Sequence, residues 1–314
     1  MRLIWRQLPE SFTINTRQND VEECSMTVAT GTCDLHTHTL ASDGMQSPAE
    51  NVRLARDKGL AAIAITDHDT VAGVKEAMEE GVRSGVTVVP GVEISTRASG
   101  KDIHVLGYYV DCGNELFLQR LADLRNTRDE RNAKMIAKLR ELGVDITMEE
   151  VIAGLGRELG PDETVARPHI ADVLVGKGYA RDMRDAFDKY LGENAPAYVS
   201  VPRISPDEAC SWIREAGGTP VLAHPGIYGD DGLVREILEQ ARPAGIEVFH
   251  SDHGPEDEKR YQAMADQYGL IVTAGSDFHG ARQGVVFHGE IGNRTVSAKV
   301  LEQLRQASAG FGLR

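Results

Sequence analysis

From Cys33 onward, short apolar runs alternate with amphipathic stretches, and this alternation restricts the fold more than any other property of the chain. Strand-like runs fall at 33–36, 61–66, 86–95, 102–110, 219–224, 245–250 and 270–277. Helix-like stretches fall at 47–58, 71–84, 231–241, 255–268 and 297–307. Run length and flanking turn residues mark the apolar runs as strands. Ser47 followed by Pro48 is a helix start, with an N-cap hydroxyl and then a proline whose missing N–H costs nothing there. Strands interleaved with helices predict a mostly parallel α/β sheet, because a parallel neighbour needs a crossover long enough to hold a helix.

The rhythm breaks between residues 115 and 200. There a long helical pattern (115–143) leads into shorter helical pieces without a convincing strand. The expected organisation is a disordered N-terminal extension (1–32), a first α/β part (33–114), a helical insertion acting as a substrate cap (115–200) and a second α/β part (201–314). Met26, just before the first organised segment, is an alternative start.

Lys+Arg of 34 against Asp+Glu of 48 gives a formal net charge of −14, which excludes a broad basic surface for a long nucleic-acid duplex. A small anionic substrate remains compatible if metal ions supply positive charge locally. No stretch approaches the roughly 18 apolar residues of a membrane span, so no membrane partner is expected and the cytoplasm is the expected compartment. Cys24, Cys33, Cys112 and Cys210 are scattered, with no C-x-x-C pair, and read as reduced bystanders.

The chemistry lies in where the histidines fall. His36, His38, His68, His104, His224, His250 and His279 come at or just beyond the ends of strand-like runs, with Asp43, Glu93 and Asp277 in comparable places. In a parallel α/β barrel the carboxyl ends of all strands meet on one face, which gathers these groups into a metal cluster. His36-x-His38 puts two imidazoles on one side of an extended strand end, since strand side chains repeat at period two. His68 lies between Asp67 and Asp69, either of which can orient its ring as an acceptor behind the ligand. Glu93, flanked by Val92 and Ile94, is a carboxylate inside an apolar run that calls for a cationic partner.

DLHTHTLASDG (34–44), TDHDT (66–70), PGVEIS (90–95), IHVLGYY (103–109), AHP (223–225) and GSDFHG (275–280) resemble, in order, the motifs of the PHP (polymerase and histidinol phosphatase) superfamily. The chain is most similar to its branch of phosphoesterases with a helical insertion, which includes nucleoside 3',5'-bisphosphate phosphatases and 5'-to-3' oligoribonucleases. The resemblance implies a distorted (β/α)7 TIM-like barrel with an inserted helical subdomain and a two- or three-metal centre. Carried over motif by motif, the ligands are His36, His38, Asp43, His68, Glu93, His104, His224, Asp277 and His279. Such a mixed imidazole and carboxylate shell suits Mn, Fe or Zn better than Mg.

With Glu93 as the bridging carboxylate, a shared hydroxide would attack phosphorus in line. His279 or His250 is then a candidate general acid. Arg167 and His169 match the branch's R-x-H element, whose members contact substrate phosphate. His253, following a strand with His250, is a further candidate for substrate binding, and His288 reads as surface or core.

The expected activity is therefore that of a hydrolase, a metal-dependent phosphatase or phosphodiesterase acting on a nucleotide or short oligonucleotide. The alternatives are a small-metabolite phosphatase of the histidinol phosphate type, a noncatalytic metal-binding PHP module, and an amidohydrolase. The last also opens with H-x-H, but its bridging lysine is not evident here.

Overall fold

The computed structural model describes residues 30–309. The expected extension lies outside the described residues up to position 29, Met26 included, and Thr32 already belongs to the first strand. In chain order the barrel half begins with β1 (Thr32–Asp34), α1 (Pro48–Asp57), β2 (Ala62–Ile65), α2 (Val74–Ser84), β3 (Thr87–Ala98) and β4 (Lys101–Tyr108). The helices α3 (Glu115–Glu141), α4 (Met148–Gly154), α5 (Arg167–Gly176) and α6 (Met183–Ala186) follow, the last running into a π-helical turn at Phe187–Leu191. The chain then returns through α7 (Pro206–Glu215), β5 (Thr219–Leu222), α8 (Asp231–Ala241), β6 (Gly245–His250), α9 (Pro255–Tyr268) and β7 (Ile271–Gly275). A small ribbon of β8 (Ala281–Arg282) and β9 (Val285–Val286), then β10 (Val296–Ser297) and α10 (Val300–Ala309), complete it.

The helix starts follow their local chemistry. Ser47 accepts the Glu50 N–H while Glu50 returns a bond to the Ser47 backbone, ahead of Pro48. Ser205, Pro206 and Glu208 repeat this arrangement at α7, a helix that the run pattern did not place.

The strands form one sheet in the order β10-β1-β2-β3-β4-β5-β6-β7. It curls until β7 meets the chain beyond β1: Leu35 N–H donates to Ala274 O at 3.0 Å, His38 N–H to Phe278 O at 2.9 Å and Asp277 N–H to His36 O at 2.8 Å. The result is a nearly closed α/β barrel.

The sheet is mostly parallel, as expected, with one strand of the barrel reversed. β4 runs antiparallel to both β3 and β5. Only Ser99 (φ 47°) and Gly100 (φ 83°) separate β3 from β4, a hairpin turn with both residues left-handed, and two residues cannot carry a parallel crossover. His104 is thus near the amino end of its strand, and the reversal of β4 brings that end to the rim where the other strands finish.

The long α3 belongs to two packing clusters. Phe117 and Leu121 at its start pack with β3, β4, α7 and α8. Met135, Ile136 and Leu139 pack instead with Val151 of α4, Ile170 and Leu174 of α5, and Met183 of α6. This second cluster holds the helices over the barrel mouth. Cys33 and Cys210 are buried, which pushes both thiols up to about 12 and leaves them unreactive at neutral pH. Among the described residues no helix is long and apolar enough to cross a membrane.

Candidate metal centre and substrate cavity

Past β1 the chain stays extended, so His36 and His38 both point into the barrel while Thr37 turns away and donates its hydroxyl to Ala64 O at 2.6 Å. Strand β7 passes so close that a Cβ on Gly275 would lie 2.1 Å from His36 Cβ, and only glycine fits there. Asp277 (φ 53°) and His224 (φ 23°) hold left-handed backbone at the rim, local strain of the kind found at functional sites.

Glu93 is the hub. Its Oε1 faces His104 Nδ1 (2.9 Å), His224 Nε2 (3.0 Å) and His36 Nε2 (3.4 Å), whereas its Oε2 faces His68 Nδ1 (2.9 Å) and His38 Nε2 (3.3 Å). Asp277 Oδ1 lies 3.1 Å from His38 Nε2 and 3.3 Å from His36 Nε2. Asp43 Oδ1 lies 3.3 Å from His279 Nε2. All the histidines and carboxylates expected as ligands therefore meet at one end of the barrel.

The residues present fit divalent cations. His36 Nε2, His38 Nε2, His68 Nδ1, Asp43 Oδ1 and Asp277 Oδ1 are buried atoms without a hydrogen-bond partner, a costly state that bound cations relieve. Ligand atoms close enough to share an ion occur in several overlapping sets, including His38–Asp43–His68–His279, His36–Glu93–His224, His68–Glu93–His104 and His36–His38–Asp277. Burial opposes charge on Asp43, Glu93 and Asp277, yet the imidazoles around them outweigh it and hold all three well below the usual carboxylate range. Burial likewise opposes charge on His38, but Asp277 and Glu93 hold it up at about 10. At His68 and His224 burial wins, and both fall to about 4. The cluster is a set of carboxylates in need of positive charge.

A cavity of about 540 Å³ is lined by this cluster together with residues of the helical segment, and several arginines line it. Arg128 pairs with Asp69 and donates to Ser95 Oγ at 2.9 Å. Arg282 pairs with Asp172 and donates to Asp43 O at 2.6 Å. Arg167 stands 3.6 Å from Asp102, against the rings of Phe187 and Tyr198. Arg131 is 3% exposed and, among the described residues, bonds only to Asn132 Oδ1 on its own helix. Burial, reinforced by Arg128, Arg167 and Arg203, pushes it well below the usual arginine value. Neither Arg131 nor Arg203 has a carboxylate within ion-pair distance among the described residues. Ile227, Phe187, Phe287, Met183 and Pro168 add apolar lining, and no lysine is among the described residues that line the cavity.

Several sequence expectations fall elsewhere. His169 caps its own helix, with Nδ1 accepting the Ala166 N–H at 3.0 Å, and lines a separate groove. His253 is buried with both nitrogens taken by backbone: Nδ1–H donates to Val248 O (2.7 Å) and Nε2 accepts from Gly226 N–H (3.0 Å). That leaves it no free nitrogen for substrate. Asp67 does not orient His68, since it accepts from Thr39 N–H, Thr39 Oγ1 and Ser42 Oγ. Asp69 accepts from Ser95 N–H and Arg128. His279 lines the cavity, but His250 is fully buried beneath it, 3.3 Å from Asp277.

Other residues at the site escaped the sequence reading. His288, taken as surface or core, lines the cavity, and its Nε2 lies 3.5 Å from Asp277 Oδ2. Glu247 is fully buried at His36, and GIEVFH carried the same signal as PGVEIS, a carboxylate inside an apolar run. Arg125, Arg128 and Arg131 repeat at intervals of three along α3, in line with the apolar Leu121 and Met135, a polar stripe on a buried face.

A PHP domain profile matches residues 34–190. The chain is 36% identical over 255 residues to the 3',5'-nucleoside bisphosphate phosphatase of Chromobacterium violaceum, covering 80% of this chain and 88% of the relative. It is 35% identical to the 5'-3' exoribonuclease Rnm of Escherichia coli, covering 78% and 84%. Among solved structures, a protein from Bifidobacterium adolescentis described as a metal-dependent phosphoesterase superposes with a TM-score of 0.78 at 32% identity, covering 88% of this chain and 96% of that one.

Proposed function

The chain belongs to the PHP domain family and is a hydrolase of the metal-dependent phosphoesterase type, and from that premise we propose that it cleaves a phosphate ester of a nucleotide or short oligonucleotide that carries a second phosphate. The observation that supports this reading is the polarity of the cavity. A carboxylate and imidazole cluster with unpartnered buried polar atoms lines the cavity, and Arg131 and Arg203, without carboxylate partners among the described residues, line the same cavity. In a chain of net charge −14, guanidinium groups left unpaired in a cavity are best explained by an anionic ligand.

In this reading His36, His38, Asp43, His68, Glu93, His104, His224, Asp277 and His279 hold two or three divalent cations. The mixture of imidazole and carboxylate favours Mn, Fe or Zn. The two oxygens of Glu93, each facing a different group of imidazoles, suit it to bridge two ions. Such cations would supply Lewis acidity at a phosphate oxygen and neutralise charge that develops during displacement. Arg167, Arg131 and Arg203 bind the second phosphate, fixing the reacting ester against the cluster. The apolar wall of Phe187, Phe287 and Ile227 accommodates the base, and about 540 Å³ is ample for a nucleotide. An amidohydrolase role is disfavoured by the lack of a lysine in the cavity. A histidinol phosphate-type substrate would leave the arginine wall without an anion.

A hydrolysis panel with Mn²⁺ supplied tests the proposal. Nucleoside 3',5'-bisphosphate or short 5'-phosphorylated RNA is expected to be turned over with a kcat/KM at least about tenfold above that for mononucleotides and histidinol phosphate, the worth of one charge-assisted contact. Preference for histidinol phosphate would overturn it.

A further inference from the structure

We propose that Glu247 is a positioning residue for the metal centre, fixing His36 and His224 from behind, and that a bulge in β6 held by His253 is what aims it. The inference rests on the reading above in one respect, that His36 and His224 are metal ligands.

Glu247 is fully buried, and both its oxygens are committed. Oε1 and Oε2 lie 3.1 and 3.2 Å from His36 Nδ1, and Oε2 also accepts the His224 backbone N–H at 2.8 Å. The carboxylate thus requires a proton on His36 Nδ1, which leaves Nε2, on the Glu93 and Asp277 side, with its lone pair free for a cation. The same oxygen pins the backbone of His224, a residue at φ 23° that few side chains tolerate.

A regular strand would not place Glu247 this way together with His250. In β6 the pairing to β7 shifts between Glu247 and Phe249, so Val248 is extra. The shift lets Glu247 and His250, three residues apart, both reach His36, where strict alternation would send them to opposite faces. A bulge frees a carbonyl from the ladder, and here the Val248 carbonyl takes the His253 Nδ1–H at 2.7 Å. His253 Nε2 in turn accepts from Gly226 N–H in the turn after His224, where a Cβ on Gly226 would lie 2.6 Å from the imidazole. His253 therefore ties the bulge to the loop that carries His224.

The test compares Mn²⁺ affinity of the wild type, Glu247→Gln and His36→Ala by calorimetry, with apo-protein melting as control. Glutamine keeps the volume but sets an amide donor against either His36 Nδ1–H or the His224 N–H. The expected result is an apo melting temperature close to wild type, Mn²⁺ binding about 10- to 100-fold weaker, and turnover recovered at high Mn²⁺. Wild-type Mn²⁺ affinity in Glu247→Gln with loss in His36→Ala would overturn this proposal alone. Wild-type affinity in both would overturn the ligand reading itself. Should Glu247→Gln not fold, imidazole ¹⁵N NMR of the Zn²⁺-loaded wild type decides: a proton on His36 Nδ1 supports the proposal, and one on Nε2 overturns it.

Discussion

Asp102 Oδ2 lies 3.6 Å from the guanidinium of Arg167 in the wall of the cavity beside the cluster, and the Phe187 and Tyr198 rings flank the same guanidinium. Arg167 is thus held in place before any ligand arrives, with a partner that a phosphate must displace. Arg131, deeper in the same wall, has no such competitor.

This contrast makes the two arginines separable. Arg131→Ala is expected to cost more than Arg167→Ala on a nucleoside bisphosphate, with losses up to the roughly 1.5–3 kcal/mol of a charge-assisted contact. A generic aryl phosphate, which carries no second phosphate for either arginine, is expected to lose much less. Metal content should be unchanged in both. Equal losses on the two substrates, read as kcat/KM, would place these arginines at the reacting phosphate.

Removing a hub ligand acts differently. Glu93→Ala takes away both oxygens that face the surrounding imidazoles, so bound Mn²⁺ or Zn²⁺ is expected to drop along with all metal-dependent turnover, while circular dichroism stays native. Metal analysis beside activity reports this directly, and Glu93→Ala with full metal content would discard the bridging role.

Acid should loosen the insertion in a defined window. Burial first, then the charge of Arg282, lowers His169 from 6.5 to about 4, and its Nδ1 must stay unprotonated to accept the Ala166 N–H. A histidine with a depressed folded value stabilises the fold fully above its unfolded value. That stability is lost as pH falls from about 6.5 toward 4, by up to about 1.4 kcal/mol per pH unit. Melting curves across this range are expected to show a shallower acid slope for His169→Asn than for wild type, and parallel slopes would refute the assignment.

Gly275→Ala tests the close approach of β7 to β1. The added methyl would meet His36 Cβ and Glu247 Oε1, so a loss of about 1–3 kcal/mol in unfolding free energy and weaker metal binding are expected together.

The barrel was implied by the resemblance to the PHP motifs, whereas the sequence by itself determined the alternation of most strands and helices and which histidines and carboxylates sit at strand ends. Each of these is local: a short apolar run between turn residues is a strand, Ser47-Pro48 starts a helix, and H-x-H on extended chain faces one way. The tertiary structure decided what depends on distant partners. A two-residue turn at Ser99-Gly100 reversed β4 and so brought His104 to the rim from the opposite direction. His253 looked like a substrate contact because it follows a strand, but the Val248 carbonyl and the Gly226 N–H claimed both its nitrogens. Glu247 and the α3 arginines are polar residues on buried faces, and sequence can flag such residues without saying what they meet. Which proton or charge each one faces is set by side chains far away in the chain, because burial makes every polar atom depend on the single partner that folding brings to it.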